Sequence, residues 1–418
     1  MDVNGFKTVG ICGGGKMGLG FFDHITRFTD LNVVFFIRSP EKAEKIRLSY
    51  MRKLSGRVKR GEVRKDELPE VIITDDIELV GECDIVFEFI AEDVEAKREL
   101  FRKLINVRRK TEQVLVTGSS SLVPGKIMPE NYEKNNLLGA HFIYPVQYIK
   151  AAEVIYADRS GRETVEKVSG FLKYLGKNPI PVHEEVGAFT IRILSRLYTE
   201  AFTIYRRQNI SPVIIDEIVE KEGFAAPPYD LSDTVGLEIV LNSLKALYEG
   251  TSEYNKHTEL RNFLEERVNK GDVGKKSGRG VLDYTGKGEN CFEGVNSNLD
   301  DATRKMVAER LKMIYFVTCF KLLDGCWIDS ELLDTVMMEI YSTPKGPIEL
   351  ACEYGLENTL QRLKEFSAAY DDVFNPPGVL EYAVKNNVGR EEIDRQIRLF
   401  RMAGKRPDWY TKDIKQVI

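Results

Sequence analysis

The stretch TVGICGGGKMG, Thr8 to Gly18, decides how the first half of this chain folds. Thr8 to Cys12 is a short apolar and β-branched run with the composition of a buried strand. The glycines after it stand in the order G-x-G-x-x-G at Gly13, Gly15 and Gly18. In a strand–turn–helix unit each has its own reason. Gly13 makes the tight turn, Gly15 lets the backbone approach a dinucleotide pyrophosphate at the helix N-terminus, and Gly18 lets helix and strand pack closely. The motif is informative only where it follows a strand, opens a helix and begins a βαβ unit, and this stretch meets all three conditions. The competing reading is a glycine turn kept only for packing.

Working outward, Val33 to Ile37, Ile85 to Phe89, Val114 to Thr117, Leu137 to His141 and Ile180 to Val182 read as further strands between charged, helix-forming stretches. That alternation predicts a parallel sheet, an α/β Rossmann-like domain over residues 1–183. The second strand of such a domain normally ends in a carboxylate that accepts hydrogen bonds from the adenosine ribose. Here Arg38 and Ser39 follow it, and a guanidinium beside a hydroxyl suits a 2′-phosphate, which predicts a preference for NADP over NAD. Arg38 stacked on adenine or pointing to solvent is the alternative.

From about His183 the character changes. Ala188 to Gln208, Ser211 to Glu222, Asp300 to Leu323 and Ser330 to Tyr341 are amphipathic and helical. The polar, glycine-rich GDVGKKSGRGVLDYTGKGEN, Gly271 to Asn290, marks an internal boundary, predicting modules at 184–289 and 290–418. The blocks on either side look alike. Each has a long helix, a second helix begun by Ile215-Asp216 or Leu333-Asp334, and a proline-bearing turn, AAPPYDLSDTVGLE or TPKGPIELACEYGLE. The expected fold class is therefore a Rossmann-like domain followed by two duplicated all-α modules.

Composition bounds the partners. The net charge of −5 is a small difference between 60 basic and 65 acidic side chains, so no global field favours nucleic acid. No uninterrupted apolar run approaches the roughly 20 residues needed to cross a bilayer, and MDVNGFK leads straight into a strand. The six cysteines form no C-x-x-C pair and the four histidines have no metal-ligand spacing. No metal is expected; six free buried thiols and a cytoplasmic, reducing compartment are.

LGAHFIYPVQYIKAAEV, Leu138 to Val154, sets a lone histidine, His141, twelve residues ahead of a lone glutamate, Glu153. An imidazole changes charge near neutral pH, and a carboxylate partner stabilises its charged form, so the pair suits proton abstraction. Beside a dinucleotide turn, that points to hydride transfer coupled to loss of a hydroxyl proton.

With these motifs, and with CDIVFEFIAEDVEAKRELF (Cys83 to Phe101), GSSSLVP (Gly118 to Pro124), LGKNPIPV, VGAFTIRIL and VGKKSGRGVLDY (Val273 to Tyr284), the chain resembles the L-3-hydroxyacyl-CoA dehydrogenase family over almost its whole length. The second helical block resembles the repeated C-terminal module of longer members. The resemblance implies that His141 is the general base for the 3-hydroxyl of an acyl-CoA or related thioester, and that Glu153 holds its tautomer. It implies that Ser120 hydrogen-bonds the reacting oxygen, with Ser119 and Ser121 as competitors, and that Met17 belongs to the cofactor site with the glycines. Glu92 matches an acidic residue near the family's interdomain cleft, although a salt bridge to the helix carrying Lys97 and Arg98 suits it equally. The basic run Arg52, Lys53, Arg57, Lys59 and Arg60 falls where the family helps bind the CoA nucleotide; a solvated helix face explains it as well. Single-module members pair their helical domains, so a tandem copy is compatible with a monomer or a homodimer.

The departures from the family pattern concern the pocket. Where the family has asparagines, this chain has Gly118, Tyr144 and Ile191. Losing a buried donor costs about 1 to 3 kcal/mol when its partner stays unsatisfied. Tyr144 could replace one such donor, and an apolar Ile191 suits a branched or aromatic acyl group. Two rival readings remain at this point: a dehydrogenase of a non-CoA hydroxy acid, and a nucleotide-binding scaffold with weakened turnover.

Overall fold

A computed structural model describes residues 5–64, 68–129, 136–157, 160–184, 188–249, 252–286, 295–403 and 405–410. The chain divides into two compact units, Met1–Ala188 and Phe189–Ile418.

The first unit is built on one sheet of β1 (Thr8–Cys12), β2 (Asn32–Phe36), β3 (Val71–Thr74), β4 (Ile85–Glu88), β5 (Val114–Thr117), β6 (Leu137–Phe142), β7 (Ala151–Tyr156) and β8 (Asn178–His183). The spatial order is β3-β2-β1-β4-β5-β6-β7-β8. Every neighbouring pair is parallel except β6 and β7. The connecting helices are α1 (Lys16–Phe28), α2 (Pro40–Lys59), α3 (Val94–Val107), α4 (Pro124–Ile127) and α5 (Arg162–Tyr174). Successive strand residues serve opposite faces. Val9 and Ile11 enter one core with Phe21, Phe35, Phe87 and Phe171, while Cys12, Val34, Val86 and Leu115 enter the other with Phe101 and Leu104. Helices on both faces are why the strands read as continuous apolar runs.

Two strands escaped the sequence reading. β3 is short and only half-buried, and it follows a charged stretch that carries no strand signal. β7 places Glu153 in an apolar run, AAEVIY, where a charge breaks the strand pattern; it is held antiparallel to β6, with His141 directly opposite Glu153. The strand read as Val33 to Ile37 starts and ends one residue earlier, and that read as Ile180 to Val182 extends over Asn178–His183.

The second unit holds α6 (Phe189–Gln208), α7 (Pro212–Glu222), α8 (Pro228–Val235), α9 (Leu237–Tyr248), α10 (Thr258–Lys270), α11 (Asp301–Asp324), α12 (Ser330–Tyr341), α13 (Pro347–Tyr354), α14 (Leu356–Ala369), α15 (Gly378–Asn386) and α16 (Arg390–Ala403). The resemblance between its blocks is a shared capping device. Asp216 on α7 accepts from the backbone N–H groups of Tyr229 (3.0 Å) and Asp230 (2.8 Å), satisfying the N-terminus of α8. Asp334 on α12 does the same for α13 through Ile348 (2.7 Å) and Glu349 (3.0 Å). A glycine of positive φ, Gly236 (+108°) or Gly355 (+96°), then turns the chain into α9 or α14. The long helices α6 and α11 pack together and share a buried Glu200–Arg310 ion pair.

The described part of the glycine-rich stretch is folded rather than a bare connector. Asp233 on α8 accepts from Val281 N (2.9 Å), Leu282 N (2.8 Å) and the Tyr284 hydroxyl (3.1 Å). A Cβ at Gly280 would stand 2.0 Å from Asp233 Oδ1, so VGKKSGRGVLDY wraps the carboxylate more closely than any side chain permits. Of the cysteines, Cys12, Cys83, Cys319 and Cys326 are free and buried. Cys352 on α13 is free but exposed, which corrects the expectation of six buried thiols; Cys291 lies outside the described residues. Among the described residues no helix is long and apolar enough to cross a membrane.

Candidate active site

The glycine turn behaves as three separate requirements. Gly13 has φ +113°, and a Cβ there would lie 2.5 Å from Phe89 O. At Gly18 it would lie 1.9 Å from Gly13 O, so both positions exclude side chains through the protein itself. Gly15 is different: the nearest atom to its Cβ position is Phe89 O at 4.0 Å. Gly15 also heads α1 with no side-chain cap, which leaves the first-turn N–H groups for an anion. A cradle that protein atoms leave open, at an uncapped helix N-terminus, fits a dinucleotide pyrophosphate. Met17, partly buried, packs onto the core beneath this turn.

At the ribose end, Ile37 directly after β2 is buried, and its Cδ1 would stand 2.8 Å from a Cβ at Gly14, with the Lys42 stem at 3.2 Å. Arg38 is exposed. The Ser39 hydroxyl accepts from Lys42 N (3.3 Å) and donates to Glu41 (3.2 Å), so it caps α2 instead of standing free for a ligand.

The remaining candidates of this unit gather at the carboxyl ends of its parallel strands, the edge where open α/β sheets bind ligands. His141, 5% exposed on β6, is bonded through Nδ1 to Glu153 Oε2 on β7, and Glu153 is fully buried. The cross-strand register sets this pair, because directly opposed residues bring their side chains together. With Nδ1 donating to the carboxylate, Nε2 is the nitrogen with a lone pair to accept a proton.

After β5 the serine run resolves into distinct parts. The hydroxyls of Ser119 and Ser121 both donate to Glu92 Oε1, the latter at 2.7 Å, and Ser121 N donates to the same oxygen at 3.0 Å. Ser120, half-buried, engages no partner among the described residues, so of the three hydroxyls it alone is uncommitted. Glu92 does bridge to the helix carrying Lys97: Nζ lies 3.4 Å from Glu92 Oε2 and 2.6 Å from Glu88 Oε1. Burial alone would raise the Glu92 carboxyl, but Lys97 and the serine donors outweigh it and hold the group below its usual value. Burial wins at Glu88, which is pushed up against the pull of Lys97, Thr117 and Ile90 N. Glu88 and Lys97 carried no separate signal in the sequence, since a charged pair in EFIAEDVEAK reads as an ordinary helix-surface contact.

The departures also find physical places. A Cβ at Gly118 would lie 2.2 Å from the Phe89 ring, so Phe89 fills the volume that an asparagine side chain would need. Tyr144 is 57% exposed on a turn braced by the buried Lys177, whose Nζ donates to Val146 O and, at 2.7 Å, to Ile149 O. Ile191, on α6 in the helical unit, lines an apolar pocket of about 80 Å³ with Leu194, Tyr198, Leu231, Val235 and Ile239.

A parallel sheet with an open glycine cradle at its carboxyl edge makes the first unit the dinucleotide-binding half of an oxidoreductase. Comparison with known proteins gives the narrower identity: the chain belongs to the 3-hydroxyacyl-CoA dehydrogenase family. Residues 8–186 match the family's NAD binding domain and 187–284 its C-terminal domain. The chain is 30% identical over 293 residues to a probable 3-hydroxybutyryl-CoA dehydrogenase of Bacillus subtilis, covering 67% of this chain and 98% of that one. It is 27% identical over 395 residues to the fatty acid oxidation complex subunit alpha of Vibrio parahaemolyticus, covering 88% of this chain but only 54% of that longer protein. In fold it is similar to the crystal structure of 3-hydroxybutyryl-CoA dehydrogenase from Escherichia coli K12, with a TM-score of 0.75 at 21% identity over 91% of this chain and 98% of that one.

Proposed function

We propose that this protein catalyses the reversible, NAD(P)-dependent oxidation of a 3-hydroxyacyl-CoA, or a related acyl thioester, to the 3-ketoacyl thioester. The observation that carries the reading is the buried His141–Glu153 pair on adjacent strands of the sheet that holds the glycine cradle. His141 takes the 3-hydroxyl proton at Nε2, and Glu153 holds Nδ1–H and stabilises the imidazolium. Ser120 donates to the same oxygen. Gly13, Gly15, Gly18 and the first turn of α1 hold the cofactor, with Met17 beneath and Glu92 beside the serine turn. A nicotinamide dinucleotide bound there supplies the acceptor for the hydride from C3. Residues 184–289 and 290–418 act as two copies of the helical module in a protein of the reducing cytoplasm.

Arg38 follows β2 where a ribose-binding carboxylate is usual, and its exposed guanidinium, with the Lys42 stem near Gly14, supports the 2′-phosphorylated cofactor; the family description names NAD. Initial rates of acetoacetyl-CoA reduction are expected with both NADH and NADPH, with kcat/KM about tenfold higher for NADPH, the effect of one added charge-assisted contact. Turnover with neither cofactor, despite measurable cofactor binding, counts against the dehydrogenase reading, and faster turnover with NADH removes the role given to Arg38.

The apolar wall at Ile191 supports a branched or aromatic acyl group over a short straight one. Ile191→Asn is expected to raise kcat/KM for acetoacetyl-CoA by roughly 10- to 100-fold, the equivalent of one restored buried hydrogen bond. An unchanged value would show that this position does not select the substrate.

A further inference from the structure

We propose that Lys97 is a positioning residue for this reaction: its buried ammonium fixes the turn after β5 so that Ser120, and neither neighbouring serine, offers its hydroxyl to the reacting oxygen. The inference rests on the dehydrogenase reading above and on Ser120 acting there.

Lys97 is 1% exposed, and lysine is almost never buried without a charged partner. It has two, and both lead to the same five residues. One arm runs from Nζ to Glu88 Oε1 (2.6 Å), and Glu88 Oε2 accepts from the hydroxyl of Thr117 (2.8 Å), the last residue of β5. The other runs from Nζ to Glu92 Oε2 (3.4 Å), and Glu92 Oε1 takes the donors of Ser119 and Ser121. Residues 117, 119 and 121 are thereby fixed from one ammonium, and Ser120 is the residue held between them. The division of labour at Glu92 matters: one oxygen serves the serines and the other faces the cation, so a proton on Oε2 is opposed by Lys97 for as long as the lysine is present. An ionised carboxylate only accepts, which suits it to order two hydroxyls. The charged groups facing Glu92 are Lys97 from α3 and, across it, Glu88 from β4. A displacement of about 1 Å at a reacting contact is enough to lose on the order of 100-fold in rate.

Lys97→Met alone leaves two carboxylates without their cation and is expected to weaken the fold. The test therefore uses the double variant Glu88→Gln/Lys97→Met, which removes the uncompensated charge at Glu88, and separately Glu92→Gln, a quarter exposed and nearly isosteric. With acetoacetyl-CoA and saturating reduced cofactor, each variant is expected to lose at least tenfold in kcat. In the double variant the acid limb of the kcat profile is expected to move to higher pH, because Glu92 without Lys97 protonates more readily. A double variant with wild-type kcat and an unmoved acid limb overturns the proposal and leaves Lys97 a structural ion pair. So does Glu92→Gln with wild-type kcat. A wild-type protein that turns over no 3-ketoacyl-CoA overturns the underlying function instead, and the proposal with it.

Discussion

His141→Gln is expected to lower kcat by about 10³-fold with little change in cofactor affinity. General acid–base catalysis by a positioned side chain contributes on the order of 10² to 10⁴. Glutamine cannot take up the hydroxyl proton, yet it fills similar volume on β6, so the strand pairing should survive. Glu153→Gln tests the partner more sharply. A carboxylate accepts from Nδ1–H, whereas an amide can turn its NH₂ towards Nδ1 and favour the tautomer protonated on Nε2, which can no longer accept a proton. A loss of roughly 10²-fold or more in kcat is expected with the fold intact. Circular dichroism would verify folding, and initial rates of acetoacetyl-CoA reduction would measure the loss. If Glu153→Gln retains most of the wild-type kcat, the pair is a structural bond inside the sheet and the base lies elsewhere.

The parts of this site legible in the sequence were those defined by local spacing. Gly13, Gly15 and Gly18 announce themselves because strand, turn and helix are contiguous, and His141 and Glu153 stand out as the lone histidine and lone glutamate of their stretch. The spacing of twelve residues between them did not reveal why they meet. The reason is β7, which was unreadable because two alanines and a glutamate mimic a helix former; only pairing with β6 makes the segment a strand. The serine run was likewise undecided between three hydroxyls, since the choice depends on Glu92, which lies 27 residues before Ser119 in the chain and reaches the turn only through the fold. At Gly118 the sequence shows only a missing asparagine; the Phe89 ring occupies the volume that its side chain would need. In the glycine-rich stretch at 271–290, Gly274 and Gly280 permit close contact with Asp233, a role that composition alone does not reveal.

The same distinction between glycines kept for packing and glycines kept for a ligand decides the second large effect. Gly15→Val is expected to leave folding nearly unchanged and to weaken dinucleotide binding by at least about 100-fold. Its φ of −77° is open to any residue, and no protein atom lies closer than 4.0 Å to the Cβ position. The change of helix cap should cost no more than about 1 kcal/mol. The branched side chain would nevertheless stand over the first turn of α1, where the N–H groups otherwise reach an anion. Losing about 3 kcal/mol of that contact corresponds to roughly 100-fold in affinity. Gly18→Val provides the contrast, because a Cβ 1.9 Å from Gly13 O cannot be accommodated without moving the strand–helix junction. Thermal unfolding should separate the two variants, with Gly18→Val strongly destabilised and Gly15→Val close to wild type, while calorimetric titration with NADH and NADPH reads binding. Wild-type affinity in Gly15→Val would mean that the turn exists for packing alone, the reading that the open space above Gly15 argues against.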